Sequence, residues 1–278
     1  MKFRTEIETA RCIPIEPQSH ILMMGSCFTP NIGTQLAIDG FNVNVNPTGV
    51  LYNPASIAGM IERSARRRPY TEKDLITDDD GTFHLLDFPN NMQGTDIDGL
   101  LTRANTLMDA LSDSLEKADI LIVTFGTAWV FDLNETGVTV GNCHKLPASF
   151  FTRRRLTPDE IVNLWKPVIS TGRRVIFTIS PIRHLADGLH GNCVSKSTLQ
   201  LAVDTLVNYG AEYFPAFEIM MDDLRDYRFY AADMKHPSET AVEYIYEIFK
   251  SRYFSKPTEI FVAKNRKQYI HSQHRRLL

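Results

Sequence analysis

Short apolar runs alternate with helix-like periods along the chain. Nearly continuous apolar residues predict buried strands at 21–24, 119–125 and 174–179, as in a sheet that is covered on both faces. Further strands are predicted at 41–45, where apolar and polar residues alternate, and at 213–219. The predicted helices lie at about 29–40, 53–61, 100–117, 157–167, 196–208 and 238–253. Strands that alternate with helices indicate an α/β protein with a mostly parallel sheet and helices on both faces.

Capping and turn residues locate several helix ends. Thr29, Asn53 and Thr157 each precede a proline, which is the usual order of a cap and a first-turn residue. Gly40 is expected to end the first helix. Pro167 is expected to end or kink the helix that Thr157 begins.

The chain shows no linker that would divide it. We therefore predict a single domain over residues 1–255, with a polar, loop-rich insertion at about 66–99. Residues 256–278 form a basic tail, expected to be solvated or docked along the surface, with an anionic-ligand site as the alternative. The residues behind this prediction are Lys264, Arg266, Lys267, His271, His274, Arg275 and Arg276.

Composition and charge narrow the class of function. A length of 278 residues allows one large domain or two small ones, and a net charge of -3 argues against nucleic acid as a partner. The four cysteines show no CxxC spacing, which argues against a disulfide framework or a zinc site. Without a signal-peptide pattern or a membrane-length apolar run, we expect a cytoplasmic protein with no membrane partner. The oligomeric state stays open.

Four polar turns are placed where a ligand site would form. They lie at 25–28, 126–129, 180–184 and 233–236. Open parallel sheets bind ligands beyond the carboxyl ends of their strands. These turns are therefore the candidate site.

The turns contain the parts of a nucleophilic site. Ser26 or Cys27 lies on a strand-to-helix turn, where the backbone N–H groups of the helix start stabilise a thiolate or an oxyanion. His236 is a candidate base, and Asp233, three residues earlier, is a candidate for orienting the imidazole.

Five motifs resemble those of the GSCFA domain family and occur in the family's order over about residues 20–255. They are Gly25-Ser26-Cys27-Phe28-Thr29, the stretch Asn46 to Pro54, Phe125-Gly126-Thr127-Ala128-Trp129, the stretch Ser180 to His184, and Asp233-Met234-Lys235-His236-Pro237. The resemblance implies the SGNH, or GDSL-like, hydrolase fold, a three-layer α/β/α sandwich with flavodoxin-like layering. It also implies an esterase or acyltransferase that acts on an acyl ester, foremost an O-acetyl ester, of a carbohydrate or lipid. The catalytic pair it implies is Asp233 and His236.

The nucleophile motif departs from the SGNH pattern. A gapless alignment places Cys27 on the family's serine and Ser26 on its aspartate, whereas a one-residue slip would make Ser26 the nucleophile. We favour Cys27, because the intervals from strand end to helix start then agree. Cysteine is also intrinsically more nucleophilic than serine.

The oxyanion hole departs as well. Gly49 matches the family's glycine, but Ala128 occupies the asparagine position and Trp129 the aspartate position. Loss of one donor typically costs about 10² to 10³ in rate, so another group must substitute. The candidates are Thr127, Arg183, His184 and the backbone N–H of Gly126.

Two of these residues have further interpretations. Trp129 is either a stacking wall for a sugar or acyl chain, or a core aromatic residue. Arg183 either clamps a carboxylate or phosphate of the substrate or acyl donor, or pairs with an acid within its loop.

The same residues leave alternatives to an enzyme. A non-catalytic module that binds a glycan or a CoA-like ligand would retain the scaffold without catalysis. A metal site lacks ligand spacing, although the chain offers Cys143, His144, His184, His190 and Cys193. Phosphate-binding glycine motifs are absent from the sequence, so no cofactor is predicted.

Overall fold

The computed structural model describes Ile7 and residues 12–276. Within these residues lie ten strands. In chain order they are β1 (His20–Gly25), β2 (Asn42–Val45), β3 (Ile76–Thr77), β4 (Phe83–His84), β5 (Gln93–Gly94), β6 (Ile120–Phe125), β7 (Trp129–Leu133), β8 (Phe151–Arg155), β9 (Arg174–Ile179) and β10 (Glu212–Phe214).

Eight α-helices are found in the same part of the chain. They are α1 (Thr29–Ile38), α2 (Pro54–Ala65), α3 (Ile97–Lys117), α4 (Pro158–Ile169), α5 (Gly188–Val207), α6 (Ala216–Glu218), α7 (Glu239–Tyr253) and α8 (Lys256–Arg276). No helix in the described part of the chain is both long and apolar enough to cross a membrane.

Five parallel strands form the central sheet in the order β10-β9-β6-β1-β2. Numbered along the chain, this is the flavodoxin-like order 2-1-3-4-5. Side chains of β1 alternate between the two faces. Leu22 and Met24 pack in a core with α2 to α5, whereas Ile21 and Met23 pack in a second core with α1, α7 and α8. The predicted three-layer α/β/α sandwich is confirmed.

Two small antiparallel sheets flank this sandwich. Strands β3, β4 and β5 pair within the predicted insertion, and β7 pairs with β8 directly after β6. Because only a short turn separates the end of β6 from the start of β7, the second sheet rises from the carboxyl edge of the central sheet. The β7–β8 sheet therefore forms a wall beside the carboxyl edge, where open parallel sheets bind their ligands.

Three predicted boundaries differ from the structure. Thr29 is the first residue of α1, and Phe28 occupies the cap position instead. Pro167 does not end α4, which continues to Ile169. A proline this close to the end of a helix removes only one backbone hydrogen bond. Helix α5 begins at Gly188, a full two turns before the predicted start.

The predicted last strand is too long. Strand β10 ends at Phe214, and residues 216–224 continue as helical turns. Pro215 explains the break, since it has no N–H to donate to a sheet ladder. Ala216 and Ile219 are still fully buried, so their apolar character correctly indicates core but not strand.

The predicted basic tail is helix α8. Its first half docks on the sandwich: Val262 is buried, and Arg266 pairs with the fully buried Asp39. Asp39 also accepts a hydrogen bond of 2.6 Å from the hydroxyl of Tyr246. The tail residues His274, Arg275 and Arg276 have side chains outside the described part of the structure.

Gly25 ends β1 in a conformation that requires glycine. Its φ is +139°, and a Cβ built there would lie 2.2 Å from the carbonyl oxygen of Thr124 on β6. Its N–H donates to Oδ1 of Asn46 at 2.8 Å. The glycine therefore allows the chain to turn off the sheet immediately before Ser26 and Cys27.

We expect Gly25→Ala to destabilise the fold by about 3 kcal/mol, because the methyl group meets backbone atoms that cannot move aside. Gly59→Ala is the matched control, since a Cβ added there meets nothing within 4 Å and its backbone is helical. It should be neutral or stabilise by about 0.5–1 kcal/mol. Urea unfolding measures both, and equal stabilities would contradict the assignment.

Candidate active site

The polar turns meet at the carboxyl edge of the sheet around an open cleft. Its volume is about 730 Å³. The residues lining it are Cys27, Tyr52, Thr127, Trp129, Phe131, Arg153, Ile182, Arg183, His184, Leu185, Ala186, Asp187, Lys235 and His236. All four predicted turns contribute at least one of these side chains.

Cys27, His236 and Asp233 form a continuous chain of contacts. The Sγ of Cys27 lies 3.7 Å from Nε2 of His236, and the Nδ1 of His236 lies 2.5 Å from Oδ2 of Asp233. With Nδ1–H donating to the carboxylate, Nε2 carries the lone pair that faces the sulphur. This is the arrangement of nucleophile, base and orienting acid.

The Asp233 carboxylate is held in place by its own turn. Its Oδ1 accepts the backbone N–H of Lys235 at 2.9 Å and of His236 at 3.0 Å. Donation from the His236 backbone and ring, followed by the Lys235 N–H, holds the pKa of Asp233 well below its usual range. The carboxylate therefore stays ionised and fixes the imidazole tautomer.

Cys27 and Ser26 have opposite environments. Ser26 is buried, is not among the described residues that line the cleft, and its Oγ accepts the N–H of Phe28 at 3.3 Å. Cys27 is half-buried and faces the cleft. Burial raises the pKa of its thiol, opposed by its own backbone N–H and by Lys196. Of the two candidates, the structure brings only Cys27 to the imidazole.

Lys196 lies behind Cys27 and is absent from the predicted site residues. Its side chain is fully buried, and Nζ donates to the carbonyl oxygens of Gly126 and Ser180, each at 2.7 Å. Burial lowers its pKa to about 7, although Cys27 raises it. A signal is present in the sequence: Lys196 shares one helical face with Leu199 and Val203, which are both core residues.

Most backbone N–H groups proposed for the oxyanion hole are already engaged. The Gly49 N–H donates to the Asn46 carbonyl at 2.8 Å, and Gly49 is not among the described residues that line the cleft. The N–H groups of Gly126 and Thr127 donate to the Tyr52 carbonyl at 2.7 and 3.0 Å. Contrary to the expectation, neither Gly49 nor Gly126 therefore has a free N–H that could donate to an oxyanion.

His184 has one ring proton to donate. Burial lowers its pKa to about 4, so the ring is neutral near pH 7. A neutral imidazole has one N–H, and the nearby Gly126 carbonyl competes for it.

Apart from Arg183, three donors at this edge of the sheet remain open. The Cys27 N–H has no bond to another residue in the described part of the chain. The hydroxyls of Thr127 and Ser195 lie 3.0 Å apart, and they accept the N–H groups of Trp129 and Ala128 respectively. Since one hydroxyl donates to the other, one of the two hydroxyl protons stays free to donate to another group.

The third donor is the hydroxyl of Tyr52, which is not among the predicted donors. Burial, and then Cys27, raise the pKa of this phenol, so it keeps its proton and can donate.

The β7–β8 sheet builds one wall of the cleft. The guanidinium of Arg153 lies 4.2 Å from the ring centroid of Trp129 and pairs with Asp187. Phe131 adds a second ring, 5.6 Å from the same guanidinium. Trp129 thus lines the cleft as the stacking-wall interpretation expects, but Arg153 already covers one of its faces.

The described residues contain no cluster of three or more His, Cys, Asp or Glu side chains that would suit a metal ion. His144, one of the metal candidates, instead places Nε2 2.8 Å from the Phe88 carbonyl oxygen.

Comparisons with known proteins give one family. A family model described as the GSCFA family matches residues 20–249. The comparison with curated proteins gives no match. Among solved structures, a carbohydrate esterase family 3 protein from Talaromyces cellulolyticus is similar with 10% identity and a TM-score of 0.38, over 88% of this chain and 98% of that one. At that level of similarity nothing about function is carried over.

Lys196 should control the reactivity of Cys27. Lys196→Met removes a cation that lowers the thiol pKa, so iodoacetamide should label Cys27 roughly three- to tenfold more slowly near neutral pH. Cys193, which is exposed, serves as the internal control in the same peptide map. Equal slowing at both cysteines, or none at Cys27, would contradict the assignment.

Lys196 should also make stability depend on pH. Its pKa falls from an ordinary 10.5 to about 7 on folding, so above about pH 7 the unfolded chain holds a proton that the folded protein has released. Stability then rises with pH, by up to about 1.4 kcal/mol per unit. Urea unfolding at about pH 7 and pH 8.5 should show this rise in the wild type relative to Lys196→Met. Parallel pH profiles would exclude it.

Proposed function

The chain belongs to the GSCFA family, and on that premise we propose that it is an esterase or acyltransferase with Cys27 as nucleophile. The observation that carries the proposal is the 3.7 Å contact between Cys27 Sγ and His236 Nε2, with His236 oriented by Asp233. The substrate we propose is an acyl ester, foremost an O-acetyl ester, of a carbohydrate or lipid.

The first half of the reaction acylates Cys27. Because burial raises the thiol pKa, the resting group is S–H, and the proton must leave during attack. His236 Nε2 takes it as the sulphur bonds to the acyl carbon, and Asp233 stabilises the imidazolium. When the C–O bond breaks, His236 returns the proton to the leaving alcohol and a thioester remains on Cys27.

The second half releases the acyl group. Water, or an acceptor alcohol, gives a proton to His236 and attacks the thioester carbon, after which the sulphur leaves and recovers the proton. Both hydrolysis and transfer balance by this route. His236 is about half exposed, so water reaches it from the open cleft.

The negative oxygen of each tetrahedral intermediate needs donors. We assign the Cys27 N–H and the Tyr52 hydroxyl, with the Thr127 hydroxyl as a third. These replace the asparagine whose position Ala128 occupies. A phenol is a known type of oxyanion donor, and the raised pKa of Tyr52 keeps its proton in place.

A pure ligand-binding module is the less favoured function. It would not need a cysteine, an imidazole and an ionised carboxylate in hydrogen-bonding sequence. The contacts among Cys27, His236 and Asp233 favour catalysis for that reason.

The proposal predicts which variants lose turnover of 4-nitrophenyl acetate. Cys27→Ala and His236→Ala should lower kcat by a factor on the order of 10⁴, and Asp233→Asn by about 10² to 10⁴. Ser26→Ala should retain most activity, because its hydroxyl is bonded within the turn. Tyr52→Phe should cost about 10² in kcat. Peptide mapping of the acylated wild type should find the acetyl group on Cys27.

Matched controls separate chemistry from folding. Asp226→Asn changes an exposed acid that is ion-paired with Arg228 on the segment that leads to Asp233, and Cys193→Ala removes an exposed thiol. Both should leave turnover unchanged. Full activity of His236→Ala, or acetylation of Ser26 instead of Cys27, would refute the corresponding role.

A further inference from the structure

Arg183 lines the cleft beside His236 without an acidic partner. No Asp or Glu within the described residues lies within ion-pair distance of its guanidinium. Arg153, the other arginine of the cleft, is by contrast paired with Asp187. The interpretation of Arg183 as one half of an ion pair within its loop is therefore wrong.

Aromatic rings hold Arg183 in place of an acid. Its guanidinium carbon lies 4.1 Å from the ring centroid of Tyr230, which is buried, and 5.3 Å from that of Tyr227. Its backbone N–H donates to the carbonyl of Lys235 at 3.2 Å, which ties it to the turn of the catalytic histidine. Rings that support a guanidinium from one side leave N–H groups on its other edges to bind an anion.

The charges around the cleft leave an excess of positive charge. Asp187 is the only acid among the described residues that line it, and Arg153 neutralises that acid. Arg183 and Lys235 are then two cations without an ion pair among the described residues, and they face only the one ionised carboxylate of Asp233, which pairs with His236. A planar guanidinium binds a carboxylate or a phosphate through two parallel hydrogen bonds.

We infer that Arg183, assisted by Lys235, binds an anionic oxygen group of the substrate, a carboxylate or phosphate located on the acyl or on the alcohol side of the scissile ester. This inference rests on the proposed function, because it assigns the substrate class of that site. Arg183 is a specificity-determining residue that fixes the position of the ester relative to Cys27.

The test compares charged and neutral esters of similar shape. On the acyl side the pair is mono(4-nitrophenyl) adipate and 4-nitrophenyl hexanoate. On the alcohol side the pair is 4-acetoxybenzoate and its methyl ester. The readout is the ratio of kcat/KM for the anionic ester to that for the neutral ester, measured within each protein, so that a general loss of folded enzyme cancels.

The wild type should prefer the anionic ester about tenfold or more in one of the two pairs, and the pair that shows the preference locates the anion. Arg183→Gln should reduce that ratio toward one. Arg228→Gln, which changes an exposed arginine that is paired with Asp226 and does not line the cleft, should keep it. Added salt should lower the wild-type ratio as the charges are screened. Equal ratios in wild type and Arg183→Gln, or no preference in either pair, would overturn the inference.

A separate measurement distinguishes failure of this inference from failure of the proposed function. If no ester is turned over, the proposed esterase function fails, and calorimetric titration of Cys27→Ala with adipate and with 4-hydroxybenzoate then decides on the anion site. The site is supported if Cys27→Ala binds adipate or 4-hydroxybenzoate and the double variant, which also carries Arg183→Gln, does not. Absence of binding for both anions would overturn it.

Discussion

One buried lysine side chain ties together the carboxyl edge of the central sheet. Lys196 reaches from α5 to the carbonyl oxygens of Gly126 and Ser180, the residues that immediately follow β6 and β9. Both carbonyls lie where the sheet ladder has ended, so without Lys196 they would be buried acceptors with lost hydrogen bonds. The same contact sets the start of the turns that carry Thr127 and Arg183. The charge of Lys196 also acts on Cys27, which couples the fold of the cleft to the chemistry of the thiol.

The backbone N–H groups at the start of the turn at 126–129 hold this part of the fold together and are not free to bind an oxyanion. Tyr52 accepts the N–H groups of Gly126 and Thr127 through its carbonyl, and this holds its ring over the cleft. The N–H groups of Gly126 and Thr127, which could otherwise donate to an oxyanion, are therefore bonded to Tyr52. The Tyr52 side chain carries a donor of its own. In the proposed mechanism, the Tyr52 hydroxyl takes the place of the missing asparagine as a donor.

The pattern of apolar and polar residues locates all five strands of the central sheet. Strands β1, β6 and β9 are nearly continuous in apolar residues because they are buried on both faces, whereas β2 is recognised by its alternation. Residues 215–219 are mistaken for strand because a short apolar run has no clear period. In the site, the turns that bear Cys27, Asp233 and His236 can be predicted from local spacing. Tyr52 and Lys196 cannot be assigned in the same way, since their roles depend on contacts between residues that are far apart in the chain.

In the proposed reaction, a cysteine nucleophile changes what the remaining groups must supply. A thiol ionises more readily than a serine hydroxyl and is intrinsically more nucleophilic, so acylation depends less on oxyanion donors than it would for serine. Burial works in the opposite direction by raising the thiol pKa, which leaves the proton on sulphur until His236 removes it. Asp233, kept ionised by two backbone N–H groups and the imidazole, makes that removal favourable. The proposed reaction therefore relies on proton transfer from Cys27 to His236, with Asp233 stabilising the imidazolium, and the contacts along this path are present in the structure.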